Sequence, residues 1–221
     1  MVPKTADGRV LFAVPWLGKV ILGTTDTPRH DLAREPTPFP DEVAFILNES
    51  ARYLRRPPLA ADVRSVWVGL RPLVKPQDEN GDNTKSLSRE HTVLASRSGL
   101  VTVTGGKWTT YRAMAEDVLQ KCVASGLLDK REGGATNDLP LVGAPSGRAV
   151  HRMCDPQGWH SYGSDAAFVR QLPGSASELG MGLTEAMVRF AVRNEYARTV
   201  EDVLARRWRA LFLDARRSQG M

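Results

Sequence analysis

Cysteine is almost absent: Cys122 and Cys154 are the only two in 221 residues, and they lie in separate segments. That excludes a disulfide-stapled scaffold and reads as two reduced thiols in a cytoplasmic chain. No window holds 18 consecutive apolar residues, which excludes a membrane-spanning helix. The opening MVPKTADGRV has no apolar stretch of signal-peptide length, so nothing in it argues for secretion. Two phosphate-binding signatures are missing as well, since neither G-x-G-x-x-G nor G-x-x-x-x-G-K-[ST] occurs. His151, Cys154 and His160 are metal-ligand types, but their spacing matches no zinc pattern and a fourth ligand is lacking, so no metal site is expected.

The composition that remains, 42% hydrophobic and 25% charged, is that of a globular chain able to bury a core. Thirty Lys and Arg stand against 25 Asp and Glu, for a net charge of +5. Much of the excess falls in ARTVEDVLARRWRALFLDARR near the C-terminus. There the arginines alternate with acids and apolar residues at helical spacing. This reads as a solvated helix face and not as a nucleic-acid surface.

Apolar periodicity divides the chain into a strand-rich part and a helical part. RVLFAVP (9–15) and KVILG (19–23) read as strands turning at Leu17-Gly18, VRSVWVGLRPLV (63–74) as a third, and HTVLASRSGLVTVTGG as two more turning at Ser98-Gly99. Asp41 reads as the N-cap of a helix that ends at Pro57-Pro58. Tyr111, Met114, Val118 and Cys122, spaced 3, 4 and 4, mark the buried face of another. REGGATNDLPLVGAPSG reads as a linker. Helices are expected around 164–171, 184–196 and 199–214, the last opened by a Thr199–Asp202 capping box. The expected organisation is a domain over 1–125, a linker over 126–145 and a helical domain over 146–221. The strands suffice for one sheet, but with only two helices to cover it the core is thin.

Chemistry-bearing residues gather where strands end. In VTGGKWTTYRAMAED, Gly105 and Gly106 free the backbone where a strand becomes a helix. The unpartnered amides of a helix start attract an anion or a developing negative charge, and Lys107 adds a full positive charge. A tight turn beside a solvated lysine is the plainer alternative. Arg71, in WVGLRPLV, needs an anion, a wet cleft or one of the chain's own acids. Thr24, Thr25 and Asp26 follow a strand and could either bind a ligand or satisfy a turn. His91 could carry a proton or be structural.

Taken in order, DGRVLFAVPW, GTTDT, GLRPLV, SREHTV and GGKWTTYRAMAED resemble the FAD-dependent glycerol-3-phosphate dehydrogenases, and the tail resembles that family's C-terminal domain. The resemblance implies non-covalent FAD and oxidation of sn-glycerol 3-phosphate to dihydroxyacetone phosphate by hydride transfer, with electrons passing to quinone or, in an oxidase branch, to oxygen. It places Gly105, Gly106, Lys107, Trp108 and Thr109 against the flavin. Arg71 and Lys107 become the catalytic candidates, and Arg71, Thr24, Thr25 and Asp26 face the substrate. The implied fold is α+β: a partial antiparallel or mixed sheet of a substrate domain, then an all-helical C-terminal domain.

The family's glycine-rich fingerprint and its histidine base precede the segment that matches residue 1. Met1 is therefore expected to be internal to a longer enzyme, with the isolated chain inactive and FAD belonging to the complete protein. Homo-oligomerisation is open, and membrane contact is at most peripheral, on the inner face of the cytoplasmic membrane. The competing expectation is a non-catalytic module whose helical half pairs with itself or with a separate flavin-binding chain, a reading that an apolar, unpaired sheet edge near Val10–Val14 would favour.

Overall fold

The computed structural model describes residues 5–6, 8, 10–29, 31–70, 90–145, 147 and 151–221. The chain divides into two compact units, one made of 1–27, 33–69 and 141–221, the other of 28–32 and 70–140.

In the first unit, β1 (Phe12–Trp16) pairs antiparallel with β2 (Lys19–Gly23) in the register Trp16↔Lys19. Leu17 and Gly18 both take positive φ, 48° and 80°, which gives the two-residue turn a twist that suits a hairpin. Their amides donate to the carbonyls of Met153 and Cys154 at 2.9 and 2.8 Å, tying the turn to the later part of the same unit. Helix α1 (Pro40–Ala51) begins one residue before the expected cap. Pro40 fits the first helical position because no intrahelical bond is needed from its nitrogen. The Glu42 carboxylate accepts from the Phe39 amide at 3.4 Å, so Asp41 is a first-turn acid and not the cap.

The third expected strand does not form among the described residues 63–70, which carry no regular secondary structure. Their polar partners lie on the C-terminal segment instead. Ser65 Oγ donates to the Leu211 carbonyl at 2.6 Å, the Arg64 carbonyl accepts from the Ala215 amide at 3.1 Å, and Trp67 meets Phe212 edge to face at 5.1 Å.

The second unit holds β3 (His91–Ala95) and β4 (Val101–Gly105), an antiparallel pair in the register His91↔Gly105, with α2 (Tyr111–Ala124) packed on the hairpin. No described residue of this unit is buried. The single sheet expected from the strand count is replaced, among the described residues, by separate two-stranded pairs.

Back in the first unit, α3 (Ala166–Gln171), a small hairpin of β5 (Glu178–Gly180) and β6 (Leu183–Thr184), and α4 (Glu185–Asn194) lead to the C-terminus. The region is helical apart from that hairpin, and the chain as a whole is α+β. Val169, Leu183, Met187, Phe190, Ala191, Val203, Leu204 and Trp208 form its core. The Thr199–Asp202 capping box is present: the Thr199 amide donates to Asp202 Oδ2 at 3.0 Å and the Asp202 amide to Thr199 Oγ1 at 3.1 Å.

The long helix expected after that box is broken. A π-helical turn at Asp202–Arg207 gives way to α5 (Ala210–Leu213) and α6 (Ala215–Ser218). Trp208 is 1% exposed and its indole N–H donates to the Met181 carbonyl at 3.0 Å, while Arg209 takes a left-handed φ of 60°. Burying the indole and satisfying its donor outweighs continuing the helix.

Candidate functional site

The junction between β4 and α2 carries the GGK stretch. Gly105 and Gly106 adopt φ of 76° and 86°, conformations in which any other residue is strained. A Cβ on Gly106 would lie 2.6 Å from Met114 Sδ and 3.1 Å from His91 Cβ. The missing side chain of Gly106 is therefore accounted for by packing inside the unit. Lys107 is extended, with φ −129° and ψ 142°, and exposed. A 3₁₀ turn over Trp108–Thr110 leads into α2, and no side chain caps the start of either element. Thr110 closes the turn, with both its amide and its hydroxyl donating to the Lys107 carbonyl at 3.0 Å.

Beyond the turn stands an exposed aromatic pair. Trp108 is 86% exposed and stacks on Tyr111, with ring centroids 5.5 Å apart and planes 25° from parallel. The amides of a helix start and an ammonium with no partner among the described residues favour negative charge, and the exposed aromatic face beside them is a surface on which a flat ring stacks. The sequence pattern singles out Trp108 and Thr109 only through the family resemblance, because nothing in apolar periodicity foretells an uncovered tryptophan.

His91 begins β3 opposite Gly105, and its Nε2 lies 2.7 Å from Asp117 Oδ2 on α2. The ring is a polar tie between hairpin and helix at the foot of the GGK turn. Helical periodicity misses Asp117, since it falls beside the Tyr111–Met114–Val118–Cys122 stripe. The available signal was its distance of six residues from Tyr111, less than two turns beyond a strand pair that must be covered. Arg112 pairs with Glu116 on the same helix and reaches Thr136 Oγ1 at 3.5 Å.

The other expected site residues are not brought to this turn within one unit. Thr24 is exposed, Thr25 and Asp26 are half-buried, and all three follow β2 in the first unit. Arg71 lies outside the described residues. The rings of His151 and His160 stack with centroids 3.9 Å apart instead of converging on a point, and Asp155 is 3.9 Å from His151. The Asp155 carboxyl is held below its ordinary range, chiefly because it accepts from the Arg152 amide.

Comparison with known proteins adds what geometry alone leaves open. Residues 1–112 match the model of the FAD dependent oxidoreductase family, and residues 134–221 match the C-terminal domain of alpha-glycerophosphate oxidase. A mitochondrial glycerol-3-phosphate dehydrogenase of Arabidopsis thaliana is 38% identical over 97% of this chain and 38% of its own length. One from Schizosaccharomyces pombe is 34% identical over 98% of this chain and 41% of its own length, and one from Bos taurus 37% identical over 98% and 32%. The chain thus spans about a third to two fifths of the length of these relatives. All three are named as mitochondrial, which overturns the expectation of a cytoplasmic chain drawn from its two cysteines and its N-terminal residues. With one model covering half of the sequence and the other most of the remainder, the chain belongs to the FAD dependent oxidoreductase family.

Proposed function

We propose that this chain supplies one wall of the flavin site, together with the C-terminal helical domain, of a mitochondrial FAD-dependent glycerol-3-phosphate dehydrogenase. The observation that carries the reading is the uncapped helix start at Trp108–Tyr111, with Lys107 and an uncovered indole beside it, in a chain of an FAD-dependent family. These residues suit the ring of FAD, which when bound accepts a hydride from sn-glycerol 3-phosphate as dihydroxyacetone phosphate forms.

Gly105, Gly106, Trp108 and Thr109 offer backbone and aromatic surface to the ring. Lys107 holds a positive charge where negative charge develops, which lowers the barrier only if that charge is fixed in place beforehand. Arg71 is the guanidinium for the substrate phosphate, a planar fork suited to bidentate contact. Thr24, Thr25 and Asp26 orient the substrate's hydroxyl groups. Residues 1–125 form the site-bearing domain and 146–221 the helical domain, joined by 126–145, in an assembly of more than one copy with quinone as electron acceptor.

As one wall of a site, the isolated chain binds FAD weakly, with a Kd on the order of 0.1 mM or about −5.5 kcal/mol, and is not reduced by glycerol 3-phosphate. Titration followed by visible absorption tests this. Saturable binding weakened about tenfold by Lys107→Met supports the reading, a loss of about 1.4 kcal/mol. Binding unchanged in that variant would place the flavin elsewhere.

A further inference from the structure

The basic C-terminal tail is not uniform. Arg206 donates to Glu201 at 2.7 Å and to Asp202 at 3.0 Å, Arg207 to the Glu195 carbonyl at 2.9 Å, and Arg209 to the Arg207 carbonyl at 2.8 Å. The last two arginines, Arg216 and Arg217, have no such partner among the described residues. With Arg64 they line a cleft of about 370 Å³ whose remaining wall includes Ala60, Ala61 and Asp214.

Asp214 is the one acid in the lining. Asp214 Oδ1 accepts from the Arg217 amide at 3.1 Å, and Asp62 pairs with Arg56 at 2.9 Å. The two sides of the cleft are about 150 residues apart in sequence, yet pinned: the Ala215 amide donates to the Arg64 carbonyl at 3.1 Å and to Ser65 Oγ at 3.0 Å. Backbone bonds therefore hold three guanidinium-bearing residues on one concavity, where their like charges outnumber the single carboxylate of Asp214.

We propose that this cleft is an anion site for a phosphate-bearing ligand, built from none of the residues of the GGK turn and independent of the reading of that turn. Its volume suits a single phosphate ester, at the low end of the range of about 300–1,000 Å³ for small-ligand sites. Planar guanidinium forks match phosphate oxygens in pairs, where ammonium groups offer only point charge. A soluble phosphate ester and the headgroup of an anionic lipid present the same chemistry.

The test titrates inorganic phosphate into the ¹⁵N-labelled chain at constant ionic strength and follows the arginine Nε–H resonances. Those of Arg64, Arg216 and Arg217 shift and saturate together, while Arg206, held by two carboxylates, does not move. The double variant Arg216→Ala/Arg217→Ala weakens binding about tenfold or more. Arg216→Lys/Arg217→Lys, which keeps the charge but loses the forks, is weakened to a lesser degree. Sedimentation with phosphatidylcholine vesicles, with and without phosphatidic acid, separates the sources. Arginine-dependent capture by the acidic vesicles assigns a headgroup, and saturation by phosphate without capture assigns a soluble ester. Linear, non-saturating shifts, equal movement of Arg206, or undiminished binding by the alanine variant would overturn the proposal.

Discussion

The C-terminal segment from α3 to α6 and the β3–β4–α2 unit solve opposite problems. The first buries Val169, Met187, Ala191 and Trp208 almost completely. The second has no buried residue among those described, and it leaves Leu94, Leu100, Val103, Trp108 and Leu119 exposed. Hydrophobic burial, the main source of folding free energy, is thus concentrated away from the turn that carries the candidate chemistry. In the hairpin–helix unit, specific local devices do what a core does elsewhere: two left-handed glycines, the Met114 sulfur against Gly106, and the His91–Asp117 bond. Stability and site chemistry are therefore separable by mutation in this molecule.

The largest effect that would break the contrast is expected at Trp208. Truncation to alanine removes the indole from the core and its bond to the Met181 carbonyl, and costs about 3–5 kcal/mol in urea denaturation. Gly106→Ala comes next. The strained φ and the collision with Met114 cost about 1–3 kcal/mol, read as faster amide exchange confined to residues 90–124. Pairing it with Met114→Ala recovers part of that loss, because the two changes act on one contact.

A smaller effect belongs to the Thr199–Asp202 box. Thr199→Ala lowers the melting temperature by a few degrees. The Asp202 carboxyl is held below its ordinary range, first because it accepts from the Arg198 amide and then from the Thr199 amide. A depressed carboxylate contributes stability that is in place above its unfolded pKa of about 4 and is lost as pH falls through the lower folded value. Asp202→Asn flattens that acid-range slope in pH-dependent melting. An unchanged slope would assign the acid sensitivity to other carboxylates.

The same contrast explains what the sequence made legible. Local signals suffice where one residue dictates its own neighbourhood: the Leu17-Gly18 turn, the capping box, and the Gly105-Gly106 junction of strand and helix. They do not suffice where a distant partner decides. Residues 63–70 look like a strand by β-branched content, but Ser65 and Trp67 find their partners at Leu211 and Phe212, about 145 positions away. The tail looks like one helix until Trp208 turns into the core. At the candidate site the glycines and the lysine were visible, whereas Asp117 and the uncovered face of Trp108 depend on how hairpin and helix are set together.

The most direct test of the central claim uses Trp108 and Lys107 together. FAD titration and thermal melting are measured on the same preparations of the chain, Trp108→Leu and Lys107→Met. Both side chains are exposed, so both variants keep stability within about 0.5 kcal/mol while FAD binding weakens about tenfold. Loss of stability in step with loss of flavin, or flavin binding indifferent to both substitutions, would contradict the separation of site from core.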